Sequence, residues 1–399
     1  MARHSCSAAG AAQLAADIRR GVRGGASVAD AVRQIVAAVR AGGDRALLEY
    51  EERFGGGGAL RVAQEELDAA LAGLDADVRA GLEVAIENVR AVAEAGLDAE
   101  AELTLLQGHT VRLREEPVGR AAVYVPAGRN PYPSTVVMGA VTARAAGVDE
   151  VIVATGDHPV ILAACALCEV DAVYRMGGAQ AVAALAYGTE SVPVADVIVG
   201  PGSLWVQEAK RQVSGDVGID GFAGPSDLTV ILSEGADPAP LKADLLAQAE
   251  HGEDSLVVAV SDDAALLDAL GGAATEVLAD GMDAALAFAE ALAPEHLQLA
   301  GEAAEALAPR VRRAGCLFVG AETGTAFGDY VAGSNHTLPT GGAARFASGL
   351  SARHFRRRMA EVRIGDAAAE LARAGVPVAR AEGFEAHAES MAIRENPRA

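Results

Sequence analysis

Aromatic side chains are scarce in this chain, at 4% of 399 residues with a single tryptophan. Its cores must therefore be packed by Ala, Val and Leu, and a hydrophobic content of 51% supplies them. Cysteine is rare. Four cysteines in so long a chain exclude a disulfide framework. The close pair Cys165 and Cys168 lies in the apolar run 162–170, has no second pair to complete a zinc ribbon, and reads as core thiols. Basic residues are in deficit, 33 against 55 acidic, for a net charge of −22. That argues against nucleic acid or an anionic membrane as partner, because phosphate recognition needs excess Lys and Arg. Long hydrophobic runs are missing as well. Uncharged stretches such as 176–189 are too short and glycine-rich to span a bilayer, and the first residues carry no apolar signal region. The expectation is a soluble, cytoplasmic protein.

What is present points to an α/β architecture. The length suggests two or three domains. Residues 11–50 and 62–100 read as Ala/Leu helices separated by the glycine loop 55–58. From about 120 short β-branched runs end in glycine and lead into alanine-rich helices, as at 151–156, 173–178 and 197–202. Strand, glycine turn and helix in repetition mark a doubly wound parallel sheet, and nearly unbroken apolar strands fit a sheet buried on both faces. A second set follows at 228–232, 255–260 and 316–320, with helices expected around 239–251, 263–270 and 282–292. The Arg-rich segment 353–363 and the tail beyond it read as an appendage. No G-x-G-x-x-G stands at a strand-to-helix turn. The glycine turns either receive a dinucleotide at helix N-termini or serve chain geometry alone.

Chemistry concentrates in the last third. Four of the chain's eight histidines stand in this region beside or near carboxylates: Glu250-His251, Glu295-His296, Asp329 with His336, and Glu382 and Glu385 before His387. Histidine moves protons near neutral pH and is the commonest metal ligand, and carboxylates orient it or share its metal. The pattern points to a metal-dependent active site. Gln248 and His251 lie at i and i+3 on one helix end, a pattern of metal ligands but more often of a solvated surface. Glu295-His296 follows a proline, and adjacent acid and base could activate water while moving a substrate proton. Residues 328–340 have loop composition and are packed with Asp, Tyr, Asn, His and Thr, costly to bury unless hydrogen-bonded or ligand-bound.

Taken in order, Tyr124-Val-Pro-Ala-Gly128, Gly177-Gly-Ala-Gln-Ala181, Gly224-Pro-Ser226, Gln248-Ala-Glu-His-Gly252, Pro294-Glu-His296, the run 328–340 and the run from Glu382 to His387 resemble the histidinol dehydrogenase family from about residue 30 onward. The resemblance implies oxidation of L-histidinol to L-histidine through the aldehyde, using one Zn2+ per subunit and two NAD+ per turnover. It implies zinc ligands Gln248, His251, Asp329 and His387, with His296 as proton acceptor and Glu295 as activator of water. Ser226, His336 and Glu382 would join the ligands and His296 around the substrate. Tyr124, Gln180 and Ser203 would contact NAD. Two departures fall on the NAD side: Ser203 stands where the family has Asn, and Ala127 where it has Gly. A homodimer is implied in which the tail, with Glu382 and His387, completes the partner's site.

The architecture expected is two incomplete Rossmann-like, doubly wound parallel-sheet domains with helical N-terminal and C-terminal extensions. Residues 1–27 would form the N-terminal extension, 28–122 with 224–350 the first domain carrying most of the zinc site, 123–223 the NAD-binding domain, and 351–399 the tail. The runner-up is a paralogous zinc- and NAD-dependent dehydrogenase of another small polar alcohol, such as a sulfonated diol. Ser226 and Glu382 favour histidinol. A metal-dependent hydrolase would use Glu295 and zinc without nucleotide, and a catalytically dead regulatory paralogue conflicts with retention of the zinc and proton-transfer residues.

Overall fold

The computed structural model describes residues 3–21, 27–126, 128, 130–252 and 254–395. The strands are β1 (Arg3–Cys6), β2 (Ala101–Thr104), β3 (Thr110–Pro117), β4 (Arg120–Tyr124), β5 (Glu150–Thr155), β6 (Ala172–Arg175), β7 (Val197–Val199), β8 (Gly218–Ile219), β9 (Asp227–Leu232), β10 (Leu256–Ser261), β11 (Thr275–Ala279), β12 (His296–Ala300), β13 (Cys316–Val319) and β14 (Arg356–Arg363). The longer helices are α1 (Ala11–Gly21), α2 (Ala29–Arg53), α3 (Gln64–Ala72), α4 (Ala76–Ala95), α5 (Pro159–Leu167), α6 (Gly178–Tyr187), α7 (Leu204–Val213), α8 (Pro238–Ala249), α9 (Met282–Leu292), α10 (Thr325–Tyr330), α11 (Ala368–Ala381) and α12 (Glu385–Ala392). The chain divides into two compact units, 1–96 with 118–355, and 97–117 with 356–399.

The larger unit holds two wholly parallel sheets. One runs β6-β5-β4-β7-β8 and the other β1-β11-β10-β9-β12-β13. From the central strand, β4 in the first and β9 in the second, the chain builds outward on one side and then returns to build on the other, with β1 added at the edge of the second sheet. That reversal falls between β4 and β7 in one sheet and between β9 and β12 in the other. The α/β, doubly wound expectation is met. The small side chains explain the close layers: α6 is buried almost throughout, and a Cβ on Gly139 would lie 2.5 Å from a Val123 methyl.

Three sequence expectations change. The N-terminal segment is more than a helical extension, because β1 pairs in parallel with β11 at the edge of the six-stranded sheet and α1 packs on α9. Helix α2, grouped by sequence with 224–350, buries Val32, Ile35, Val39 and Leu47 in the core of the five-stranded sheet. The Arg-rich segment is a strand. β14 runs antiparallel to β3, which also pairs with β2, and this register sets Arg358 against Glu115. Arg358 also pairs with Asp98 at 3.1 Å. A run of three arginines and low apolar content disguised its conformation. Helices α11 and α12 follow it. Among the described residues no helix is long and apolar enough to cross a membrane.

One buried ion pair anchors the turn after β7. Lys210 on α7 and Asp220 just beyond β8 are 1% and 4% exposed at their side chains. Lys210 Nζ donates to the Gly200 carbonyl at 3.0 Å and to Asp220, while the Gly200 N–H donates to Asp220 Oδ2 at 2.7 Å. Gly200 has φ +118, and a Cβ there would sit 2.1 Å from the Tyr124 carbonyl oxygen. No other residue fits. Lys210→Met should destabilise the protein by about 3–5 kcal/mol in urea unfolding, because it strands a buried carboxylate. Adding Asp220→Asn should recover part of the loss, since Asn still accepts from Gly200.

Candidate active site

A cavity of about 510 Å³ opens between the two sheets of the larger unit. Pro126 and Gly128 line it from beyond β4, and Pro201, Gly202 and Ser203 from beyond β7. These are the carboxyl ends at the reversal of strand order, where open α/β sheets receive ligands. The opposite wall is different. Ser226 precedes β9, and Glu295 and His296 stand at the start of β12, so the six-stranded sheet contributes its amino edge.

The carboxylate of Glu295 is nearly inaccessible at 6% exposure, and His296 at 2%. Ser226 Oγ donates to Glu295 Oε2 at 2.5 Å, and the Asp227 N–H donates to the same oxygen at 3.0 Å. Asp227 Oδ1 accepts the Glu295 N–H at 2.7 Å. Burial is the main reason that Glu295 is pushed up to about 7, against the pull of His296 and the Ser226 hydrogen bond. For His296 burial acts downward, yet Asp329 Oδ1 at 3.6 Å from Nε2 and Glu295 Oε2 at 3.7 Å from Nδ1 outweigh it and hold the ring at about 8. Two groups with such values near neutrality can exchange protons with substrate and water.

Each of the three imidazoles in the cavity is anchored through Nδ1 to a backbone carbonyl. His251 bonds Gln248 O at 3.2 Å, His296 bonds Asp227 O at 3.3 Å, and His336 bonds Asp329 O at 3.0 Å. A carbonyl only accepts, so Nδ1 carries a hydrogen, and Nε2 is the acceptor whenever the ring is neutral. His336 Nε2 takes that role with the Thr135 hydroxyl at 3.2 Å, and burial lowers its basicity. A π-helical turn at Val137–Val141 lies behind it. There Asn335 Nδ2 donates to the Met138 carbonyl at 3.0 Å, bracing the loop that carries His336.

The structure thus gathers Ser226, Gln248, His251, Glu295, His296, Asp329 and His336. Gln248 joins through its amide Nε2, which donates to Ser226 Oγ at 2.7 Å. Asp329 ends helix α10, so 328–330 is helical and not loop as its composition suggested. Glu382 and His387 belong to the smaller unit, exposed at the end of α11 and on α12, where His387 stacks on Phe384 at 5.2 Å. Ser203 caps α7 at the cavity wall without a side-chain cap bond. Tyr124 and Gln180 converge instead on the turn before α6: the Tyr124 hydroxyl accepts the Gly178 N–H at 3.0 Å, and Gln180 Nε2 donates to Glu51 Oε1 at 2.9 Å. Ala127 lies outside the described residues. Sequence reasoning missed Glu51, Thr135 and Asp227. Only Asp227 had a signal, its place beside Ser226.

A parallel two-sheet body, a glycine turn at the strand reversal and a buried carboxylate–imidazole pair facing it define an oxidoreductase of the dehydrogenase class. A sequence model of the histidinol dehydrogenase family matches residues 18–395, and the chain belongs to that family. It is 41% identical to the histidinol dehydrogenase of Rhizobium meliloti, over 92% of this chain and 91% of that one, and 42% identical to that of Thermobifida fusca, over 92% of each. The crystal structure of histidinol dehydrogenase from Elizabethkingia anophelis superposes with a TM-score of 0.93 at 28% identity, covering 99% of this chain and 98% of that one. The runner-up reading, a dehydrogenase of a sulfonated diol or similar alcohol, gains no support from these relatives.

Glu51 gives the site a pH signature. Buried on α2, it accepts the Gly177 N–H and the Gln180 amide, both at 2.9 Å, yet burial dominates and raises its carboxyl above the ordinary 4.5. The folded state therefore favours the protonated form, and stability present below that value is lost as pH rises through the raised one. Glu51→Gln should gain stability relative to the parent as pH climbs from about 4.5 toward neutrality. Urea unfolding across that range checks this, and a constant difference would refute it.

Proposed function

We propose that the chain oxidises L-histidinol to L-histidine through L-histidinaldehyde, with two NAD+ and one Zn2+ per subunit. The observation that carries the reading is the Glu295–His296 pair, buried and tuned near neutrality in the cavity that Ser226, His251, Asp329 and His336 share. The donor set suits zinc: amide oxygen, imidazole nitrogen and carboxylate oxygen. Gln248 commits its amide nitrogen to Ser226 and His251 its Nδ1 to a carbonyl, leaving Gln248 Oε1 and His251 Nε2 as donors beside Asp329. Among the described residues no group of three or more His, Cys, Asp or Glu could hold a metal. In this reading the fourth ligand would be His387 of a second subunit. When bound, zinc would hold the substrate's amine and imidazole nitrogens in fixed orientation.

Bound NAD+ supplies the hydride acceptor in each half-reaction. His296 Nε2 takes the hydroxyl proton as the alcohol carbon loses hydride. His296 then passes that proton to solvent, Glu295 takes a proton from the water that adds to the aldehyde, and His296, neutral again, takes the hydroxyl proton of the hydrate in the second oxidation. Ser226 positions Glu295. We assign Tyr124, Gln180 and Ser203 to NAD contacts. Ser203 has one donor where the family's Asn has two, which alters cofactor affinity and leaves the chemistry intact. Glu382 is assigned to the substrate. The setting we infer is the cytoplasm, in keeping with four free cysteines.

Zinc-replete protein given histidinol and NAD+ should form two NADH per histidinol, followed by absorbance, and no NADH formation would overturn the reading. His296→Ala should slow both oxidations by about 10²–10⁴-fold with zinc still bound, whereas Glu295→Gln should fall by that amount chiefly on supplied aldehyde. Mixing inactive His296→Ala with inactive His387→Ala protein should restore activity through mixed dimers. Confirmed subunit exchange without any rescue would remove the shared site.

A further inference from the structure

The N-terminal helix reaches the catalytic pair through a single buried residue. Asp227 makes three separate contacts to Glu295–His296. Its N–H donates to Glu295 Oε2, its carboxylate accepts the Glu295 N–H, and its carbonyl accepts His296 Nδ1–H. The Asp227 side chain is 3% exposed, and the remaining carboxylate oxygen, Oδ2, faces Arg19 Nη1 of α1 at 3.8 Å. The Gly341 N–H also donates to this carboxylate.

Arg19 holds a second point on the same turn. Its Nη2 donates to the carbonyl of Leu292, the last residue of α9. Ala293 follows in the left-handed region at φ 48, where a residue other than glycine is strained, and Pro294 and Glu295 come next. Such a turn persists only when its surroundings over-determine it. One guanidinium thus grips the carbonyl that precedes the strained turn and neutralises the carboxylate that clasps the residue after it. Helix α1 is held in place for this by Leu14 and Ile18 packing against the core that contains Phe288 and Leu292.

We propose that Arg19 and Asp227 are positioning residues for the reaction, fixing the orientation of the Glu295–His296 pair, and that the N-terminal helix is thereby a working part of the active site. This rests on the assignment of Glu295 and His296 as proton-transfer groups given above. Neither residue lines the cavity, so their loss acts on turnover and not on substrate capture.

The test uses full-length, zinc-replete protein with Arg19→Met, Arg19→Lys, Asp227→Asn and the Arg19→Met/Asp227→Asn pair, read by NADH formation alongside thermal melting and zinc content. Arg19→Met and Asp227→Asn should each lower kcat about 10- to 100-fold, with KM for histidinol and NAD+ changed less than about threefold, since small misplacement of catalytic groups costs rate on this scale. Arg19→Lys should recover part of the loss. The double variant should be no slower than the worse single one, because both act through one link. Folded Arg19→Met protein with unchanged kcat, or losses that multiply in the double variant, would overturn the proposal. Absence of NADH formation by the unsubstituted protein would instead overturn the catalytic assignment, and this inference with it.

Discussion

The chemistry of this protein hangs on hydrogen bonds from imidazole to main chain. His251, His296 and His336 each spend Nδ1–H on a carbonyl, and those carbonyls belong to the end of α8, the start of β9 and the end of α10. The tautomer and the aim of each ring are therefore set by where a secondary element begins or ends. Side chains anchored to other side chains can rotate together, whereas main chain inside a ladder or helix cannot. In the neutral form of each ring the hydrogen sits on Nδ1 and the lone pair on Nε2. The same economy holds Glu295, whose Oε2 takes one main-chain N–H and one serine hydroxyl.

The two sheets meet the cavity with opposite ends, and the division of labour follows. The carboxyl edge of β4 and β7 offers glycine turns and the N-terminus of α7, suited to phosphate and a flat cofactor. The amino edge of β9 and β12 offers side chains at strand starts, where a residue is half inside the ladder and still reaches the cleft. His296 is the clearest case, since it is paired in the sheet with Leu228 and Cys316 while its ring lines the cavity. A rigid strand carries the His296 imidazole, and glycine turns face it across the cavity.

Much of the fold was readable because buried parallel strands are unbroken apolar runs: β5, β7, β9, β10 and β13 were all anticipated within a residue or so. The strands that escaped carry polar residues for local reasons. In β12 His296 and Gln298 interrupt the pattern, Gln298 being bonded to Asp244 at 2.9 Å, and in β11 Glu276 pairs with Arg3 of β1. The site was legible wherever a histidine had a carboxylate neighbour, yet the neighbour's role was not. Asp329 serves His336 through its carbonyl and His296 through its carboxylate. Asp227 works largely through main-chain groups, which leave no mark in a sequence, and Arg19 meets it from the far end of the chain.

Strand β1 has a consequence for how the molecule assembles. Among the described residues its four pair only with β11, so this segment must wait for residues beyond 270 to be made before it finds a strand partner. Pairing over such separation closes a large loop and belongs late in folding. The five-stranded sheet, drawn from 120–219, has all its strands at hand much sooner. Helix α1 docks with β1, so Arg19 arrives after the residues it braces. Docking of this segment and completion of the support under Glu295 and His296 are then one event, and the support is missing until β1 and β11 have paired.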